Sequence, residues 1–434
     1  METEVKKIPK RRWTHIIPVC ILVYIVAFMD RTNISFAIAG GMSEALNLTA
    51  SMSGLASGIF FIGYMVLQIP GGNMAEHGSA KKFISFSIIA WSIFAIVEGF
   101  VHNSTQLLIL RFCLGVAEGG VWPAILVIIT HWFPMEERGR ANAFFIMNLA
   151  VANMITGPIS SWLIVLSSWR LLFIGEGILA LLLMLCWLPL ITDRPENAKW
   201  LSKEEKDYID SKLAEEKAAM DKNVAAKLTF GQALRNINMV KLSIVYFCYQ
   251  IGVYGFTLWL PTLLKSISKT GITGIGFLSM FPFVAGMVGL WVFGNISDKT
   301  HNSKMSTAIP MLLFGVCLIC SVQFGKYVWV SYAFMIGCGA FYEAGNGPFW
   351  TMPPMLFSAD VAGGCRGVIN AIGNLGGFVG PYVVGALMTR YNNAVAGMWT
   401  LGVFLIIGFF VAVSLPAVTS GRGFRELEAN SKAN

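Results

Sequence analysis

The segments Gly72-Asn73-Met74-Ala75-Glu76-His77 and Gly294-Asn295-Ile296-Ser297-Asp298-Lys299 share one outline: Gly-Asn, a short spacer, then an acid followed by a basic residue. They stand 222 positions apart in a chain of 434 residues. Each closes an apolar stretch. A second pair, Gly157-Pro158 and Gly380-Pro381, lies inside two further apolar stretches at an offset of 223. Two independent matches at nearly one offset argue that a single unit has been duplicated.

Composition says what that unit is made of. Hydrophobic residues make up 55% of the chain and charged residues only 13%, with a mean hydropathy of +0.64. A soluble protein carries roughly 25% charged residues, so a polytopic membrane protein is expected. About 20 apolar residues are needed to cross a hydrocarbon core about 30 Å thick. Twelve such stretches are read at 16–39, 52–74, 83–101, 105–131, 140–165, 170–190, 239–263, 274–296, 305–323, 328–356, 364–389 and 396–416. The predicted fold is all-α, with twelve transmembrane helices in two pseudo-symmetric six-helix bundles. These are residues 1–190 and 239–420, joined by a cytoplasmic linker at 191–238 and followed by a tail at 421–434. In the linker, Ser202-Lys203-Glu204-Glu205-Lys206-Asp207 reads as the start of a surface helix with Ser202 as its N-cap. Parallel repeats about an axis along the membrane normal, with a site between them near the midplane, describe a transporter architecture.

Lysine and arginine outnumber aspartate and glutamate by 32 to 24. In a soluble chain that excess would suggest nucleic acid, but here the loops explain it and no nucleic-acid partner is expected. Basic residues crowd the N-terminus (Lys6, Lys7, Lys10, Arg11, Arg12), alternate loops (Lys81, Lys82, Arg138, Arg140, Lys299, Lys304) and the tail (Arg422, Arg425). Cytoplasmic loops carry such an excess, so both termini and the linker are expected on the cytoplasmic side. Lys265 and Lys269, after the seventh stretch, break the pattern. The N-terminal run is too long for a signal peptide and holds Asp30, so it is read as a retained first span. The eight cysteines lie in or beside apolar segments and read as reduced core residues, the Cys317/Cys320 pair included. The five histidines sit at span ends or loops without metal-ligand spacing, and no metal or cofactor is expected.

Charges inside the spans carry the functional reading. Phe28-Met29-Asp30-Arg31-Thr32-Asn33 places two charges within the first apolar segment, each costing about 2.5–3.5 kcal/mol at the bilayer centre on insertion scales. Successive helix positions differ by about 100°, so Asp30 and Arg31 are expected to divide their labour. Arg111 and Glu118 lie seven apart in span four, on one helix face. This spacing fits either a packing ion pair or a working site, and Gly115, Gly119 and Gly120 around the acid suit either. An arginine fork binds a carboxylate through two parallel hydrogen bonds, and a buried carboxyl group can take up or release a proton. Together these are the needs of an anion–proton symporter. Polar pairs at i, i+4 recur at Tyr64/Gln68, Gln250/Tyr254, Asn346/Trp350 and Asn370/Asn374. Each pair occupies one helix face, read either as interhelical bonding or as cavity lining for a hydroxyl-bearing ligand. Trp259, Phe349 and Trp350 could stack on a sugar face or an aromatic ring. Glu98 and Glu176 fall near the outer ends of spans three and six and are expected at the interface, whereas Glu343 lies deeper and is a candidate second titrating group.

The pattern resembles the major facilitator superfamily, whose loop between spans two and three carries G-x-x-x-D-[RK]-x-G-[RK]-[RK]. Here Glu76 and His77 replace the usual Asp and base, and Ser79 the second glycine; the copy at Gly294, Asp298 and Lys299 is closer over its first half. More narrowly, the chain is similar to the anion:cation symporter branch, bacterial permeases for sugar acids, tartrate and aromatic acids. The likeness rests on Asp30-Arg31-x-Asn33, Gln68-Ile69-Pro70-Gly71-Gly72, Arg111-x-x-x-Gly115-x-x-Glu118-Gly119, Trp132-Phe133-Pro134 and Asn370-x-x-Gly373-Asn374-x-Gly376-Gly377. Phe349-Trp350-Thr351-Met352-Pro353 is similar to the rhamnonate and tartrate permeases. The resemblance implies that Asp30 and Glu118 take part in proton coupling, Asp30 paired to arginine. It places Arg31 and Arg111 in the site region, one shaping the substrate cavity and one interacting with the acids. It also implies monomers.

The expectation is therefore proton-coupled uptake of a small organic anion by alternating access in the bacterial inner membrane, amid membrane lipid. A sugar acid (aldonate, aldarate or hexuronate) leads, with tartrate-like or aromatic carboxylates next. An anion uniporter or antiporter and a membrane ligand sensor are the alternatives; no constellation for an enzyme is present.

Overall fold

The structure, a computed structural model, describes residues 10–222, 230–268, 270–357 and 359–416. The tail at 421–434 with Arg422 and Arg425, together with Lys6, Lys7 and Lys269, lies outside the described residues. Among those described, every regular element is helical, and the twelve expected spans are all found.

Span 1 runs as Arg11–Thr32 and continues through Ile34–Ala37. Span 2 is Ala50–His77, span 3 Ala80–Glu98, and span 4 Ser104–Glu118 followed by Val121–Trp132. Span 5 is Met135–Leu166, and span 6 is Trp169–Leu182 with Met184–Leu190. Spans 7, 8 and 9 are Ile237–Ser268, Ile272–Thr300 and Ser303–Gln323. Span 10 is Val328–Tyr342 with Asn346–Leu356; spans 11 and 12 are Ala359–Tyr391 and Val395–Val413. Local chemistry starts several of them. The side chains of Thr49, Ser79, Asn103 and Asn302 each accept a backbone N–H three residues on, at 3.2, 3.1, 2.9 and 3.1 Å, satisfying donors that a helix start leaves orphaned.

Four spans are interrupted, which the hydropathy pattern did not foretell; span 6 is broken at Leu183. Span 1 loosens after Thr32 into a wide turn over Ile38–Met42, where Gly41 adopts φ 106°. Span 4 breaks at Gly119-Gly120 and span 10 at Glu343-Ala344-Gly345. The last break leaves neither segment of span 10 long enough to cross a membrane alone, whereas eleven other helical runs each suffice by length and apolarity. Non-helical backbone at membrane depth is tolerated where it is buried in protein or lines a cavity.

Buried apolar residues gather in two clusters. One runs from Ile16 to Ile209 and the other from Ala233 to Leu415, except that Tyr254 and Leu258 of span 7 join the first. The halves approach most closely at the span ends remote from residue 11. A Cβ on Gly54 of span 2 would collide with the Pro381 carbonyl of span 11, and one on Gly276 of span 8 with Ser161 and the Gly157 carbonyl of span 5. Lys265, the basic residue out of pattern, ties the halves there: its Nζ donates to the Ala39 carbonyl at 2.8 Å and lies 3.7 Å from Glu44.

In the linker, Lys203–Lys222 is helical, and Ser202 Oγ accepts the Glu205 N–H at 3.3 Å. The helix lies against the first bundle. Arg12 reaches Glu205 at 2.6 Å and Glu137 at 2.7 Å, and Arg138 reaches Glu216 at 3.2 Å.

Candidate functional site

Spans 2 and 4 meet backbone to backbone. A Cβ on Gly115 or Gly119 would strike the carbonyl oxygen of Phe60 or Tyr64. These glycines therefore serve close packing rather than leaving room around the acid, and that packing brings Tyr64 to Glu118.

The side chains of Asp30 and Arg31 diverge. Arg31 Nη2 lies 3.4 Å from Glu118 Oε2 and 3.4 Å from the Tyr24 hydroxyl, itself 3.4 Å from the Tyr64 hydroxyl. The guanidinium also stands over the Tyr64 ring, 4.6 Å from its centroid, a cation–π geometry. Tyr254 of span 7 packs on Phe61 at 4.2 Å and faces Arg31 from the other half. Arg31 is thus held by one carboxylate at a long distance and ringed by phenols.

Asp30 turns the other way. It is fully buried and meets Asn33 Nδ2 at 3.5 Å, with Oδ2 unpartnered. The expected pairing of its carboxylate to an arginine is not found. Arg111 spends its fork on span 1's backbone instead, donating to the carbonyls of Asp30 and Arg31 at 3.1 Å each. The span 1 interruption frees those carbonyls from the helical ladder, and a buried carbonyl needs a donor.

Glu98 and Glu176 require correction. Neither side chain reaches water: Glu98 is fully buried and Glu176 is 1% exposed. Glu98 Oε2 lies 3.8 Å from Arg111 Nη1, giving that buried cation its counter-charge. Glu176 accepts Asn33 Nδ2 at 2.9 Å and Ser160 Oγ at 3.0 Å. Hydropathy reports depth along a helix, whereas both side chains are turned inward by the face they occupy.

The i, i+4 pairs resolve individually. Gln68 accepts from Asn374 at 3.0 Å, a direct bond between the halves. Gln250 is buried, with its Cβ against Gly376. Asn346 donates to Glu343 at 2.8 Å. Trp350 meets Tyr246 edge-on at 4.9 Å, and Phe349 stacks on the same ring at 5.0 Å. Asn370 is half-buried on span 11. Trp259 donates to the Pro381 carbonyl at 3.0 Å and serves packing. Sequence reasoning missed Tyr24 and gave no role to Asn33 or Ser160. Tyr24 carried a signal, standing seven residues before Arg31 on the same helix face. A cavity of about 690 Å³ opens between spans 2 and 3, lined by Leu67, Met74, His77, Lys82, Phe83 and Phe86. Among the described residues no three His, Cys, Asp or Glu converge as metal ligands.

Interrupted helices around buried opposite charges, between two repeated bundles, suit a carrier. The sequence profile of the Major Facilitator Superfamily matches residues 20–381. The chain belongs to this superfamily. A quinolone resistance transporter of Acinetobacter baumannii is 29% identical, the match covering 91% of this chain and 92% of that protein. A protein of Agrobacterium vitis named for tartrate transport is 30% identical, covering 94% of each. In fold, this facilitator is similar to the crystal structure of a bacterial homologue of the human lysosomal transporter Spinster. The TM-score is 0.74 at 17% identity, covering 93% of this chain and 97% of that one. This facilitator is accordingly a multi-pass membrane transporter and not an enzyme.

Proposed function

We propose that the protein carries a small organic anion into the cell together with protons, by alternating access of its two halves. A sugar acid leads as substrate class and a tartrate-like acid follows. It works as a monomer in the bacterial inner membrane, with both termini and the linker cytoplasmic. The observation carrying this reading is Arg31, a buried guanidinium whose only ion-pair partner among the described residues, Glu118, stands off at 3.4 Å. A substrate carboxylate can take the strong hydrogen bonds that Glu118 leaves unmade, once Glu118 is protonated. Tyr24, Tyr64 and Tyr254 beside it, with Gln68, Gln250, Asn370 and Asn374 nearer the second half, offer donors and acceptors to hydroxyl groups. Arg111, with its fork on two carbonyls, positions span 1 and is not itself the substrate's clamp. The relative named for tartrate supports an acidic small molecule as cargo.

The stacked Tyr246, Phe349 and Trp350 favour a second reading, a flat aromatic carboxylate. Purified protein in liposomes, offered D-glucarate, tartrate and benzoate under an inward pH gradient, decides between them. One pH unit supports about tenfold accumulation per proton carried. Gradient-driven accumulation of D-glucarate or tartrate above that in protein-free liposomes is expected; protein-dependent accumulation of benzoate alone would favour the second reading. No gradient-driven uptake of any of the three would overturn proton-coupled transport.

A further inference from the structure

Four carboxyl groups are buried in the first bundle, and only two have a cation. Glu118 faces Arg31 and Glu98 faces Arg111. Asp30 of span 1 and Glu176 of span 6 have no ion-pair partner among the described residues, yet they are 0% and 1% exposed. What joins them is Asn33, whose Nδ2 lies 2.9 Å from Glu176 Oε2 and 3.5 Å from Asp30 Oδ1. Ser160 of span 5 holds the other oxygen of Glu176, and Asp30 Oδ2 is left without a partner. Burying a carboxylate with no cation is costly, and two beside one another more so. The charged groups bearing on Asp30 are Glu176, Glu118, Glu98 and Arg111. The one cation among these already serves Glu98 and two carbonyls.

Resting on the proton-coupled reading above, we propose that Asp30 and Glu176 hold one transported proton between them through Asn33, making Glu176 a proton-coupling residue. The proton arrives as H⁺ from one side, forms an O–H bond on one of the two carboxylates, and leaves as H⁺ to the other. No other bond changes. Asn33 places the two acids but does not itself titrate, and the pair is separate from the Arg31–Glu118 couple that receives substrate. The carrier thereby keeps its proton store and its anion clamp on opposite sides of span 1, linked by the adjacent residues Asp30 and Arg31.

The test uses full-length protein in liposomes and whichever of D-glucarate, tartrate or benzoate the wild type accumulates most above protein-free liposomes. Glu176→Gln keeps shape but cannot carry the proton. Its pH-gradient-driven accumulation is expected to lose the roughly tenfold per pH unit that one proton supports, with counterflow exchange of the same acid within about twofold of wild type. Glu176→Asp, which keeps a carboxyl group, is expected to recover part of the accumulation. Accumulation unchanged in Glu176→Gln overturns the proposal, as does a parallel loss of accumulation and exchange, the mark of a merely structural residue. Should Glu176→Gln fail to fold, Asn33→Ala replaces it. Lost accumulation with exchange kept then supports the linked pair, and any other outcome overturns it. A wild type without gradient-driven accumulation would instead sink the transport reading itself.

Discussion

Glu118 and Glu343 occupy matching places in the two halves. Each stands where the first segment of its span ends, in span 4 before Gly119-Gly120 and in span 10 before Ala344-Gly345. Their surroundings differ. Glu118 faces a guanidinium among phenols, whereas Glu343 has the Asn346 amide at 2.8 Å and a nearby wall of Tyr246, Phe349 and Trp350. Both halves have the broken helix and the acid at the break, and among the described residues only the first half has buried arginines. Under the proposed function, charge recognition falls to one half and shape recognition to the other.

The comparison breaks most readily at Arg31. Replacing it with Lys retains the charge but not the planar fork. Losing a hydrogen bond to a charged group costs about 1.5–3 kcal/mol. Both uptake and counterflow exchange of the preferred acid are expected to drop by about 100-fold; an Arg31→Lys protein with wild-type exchange would move the anion site elsewhere. A smaller effect tests the claim that Arg111 is structural. Arg111→Gln strands Glu98 as a buried unpaired charge, so the thermal midpoint in detergent is expected to fall. Adding Glu98→Gln should restore part of the loss by removing the orphan. Strict additivity of the two changes would contradict the pairing. The smallest effect belongs to the second half. Trp350→Ala removes stacking of about 1 kcal/mol, so KM for the preferred acid is expected to rise about fivefold with little change in kcat. A larger fall in kcat than in affinity would place Trp350 in the conformational step.

Much of this is legible in the sequence. The Gly-Pro pair at 157 and 380 and the loop copies at 72 and 294 gave the duplication. The cost of charge in an apolar run singled out Asp30, Arg31, Arg111 and Glu118. What stayed hidden were partners. Arg111 and Glu118 share a helix face by spacing, but each bonds elsewhere, because span 1 opens its backbone at Asp30 and Arg31 and presents carbonyls that no hydropathy window reveals. Tyr24 was lost among aliphatic neighbours, since a phenol ring reads as apolar until its hydroxyl finds company. Glu98 and Glu176 were assigned by depth alone, and the direction a side chain takes around its helix axis depends on where neighbouring helices sit.

The linker helix bears on how the molecule is made. Span 1 begins after Lys10 and span 5 after Pro134, and neither residue's side chain caps its helix. The backbone N–H groups of Arg11 and Arg12 are received by Glu205 and that of Met135 by Glu216. The carboxylates that finish the first and fifth helices therefore come from a segment translated after all six spans of the bundle. The first and fifth helices thus gain their N-terminal acceptors only once residues 205 and 216 have been made, so completion of the first bundle waits on the segment that leads into the second.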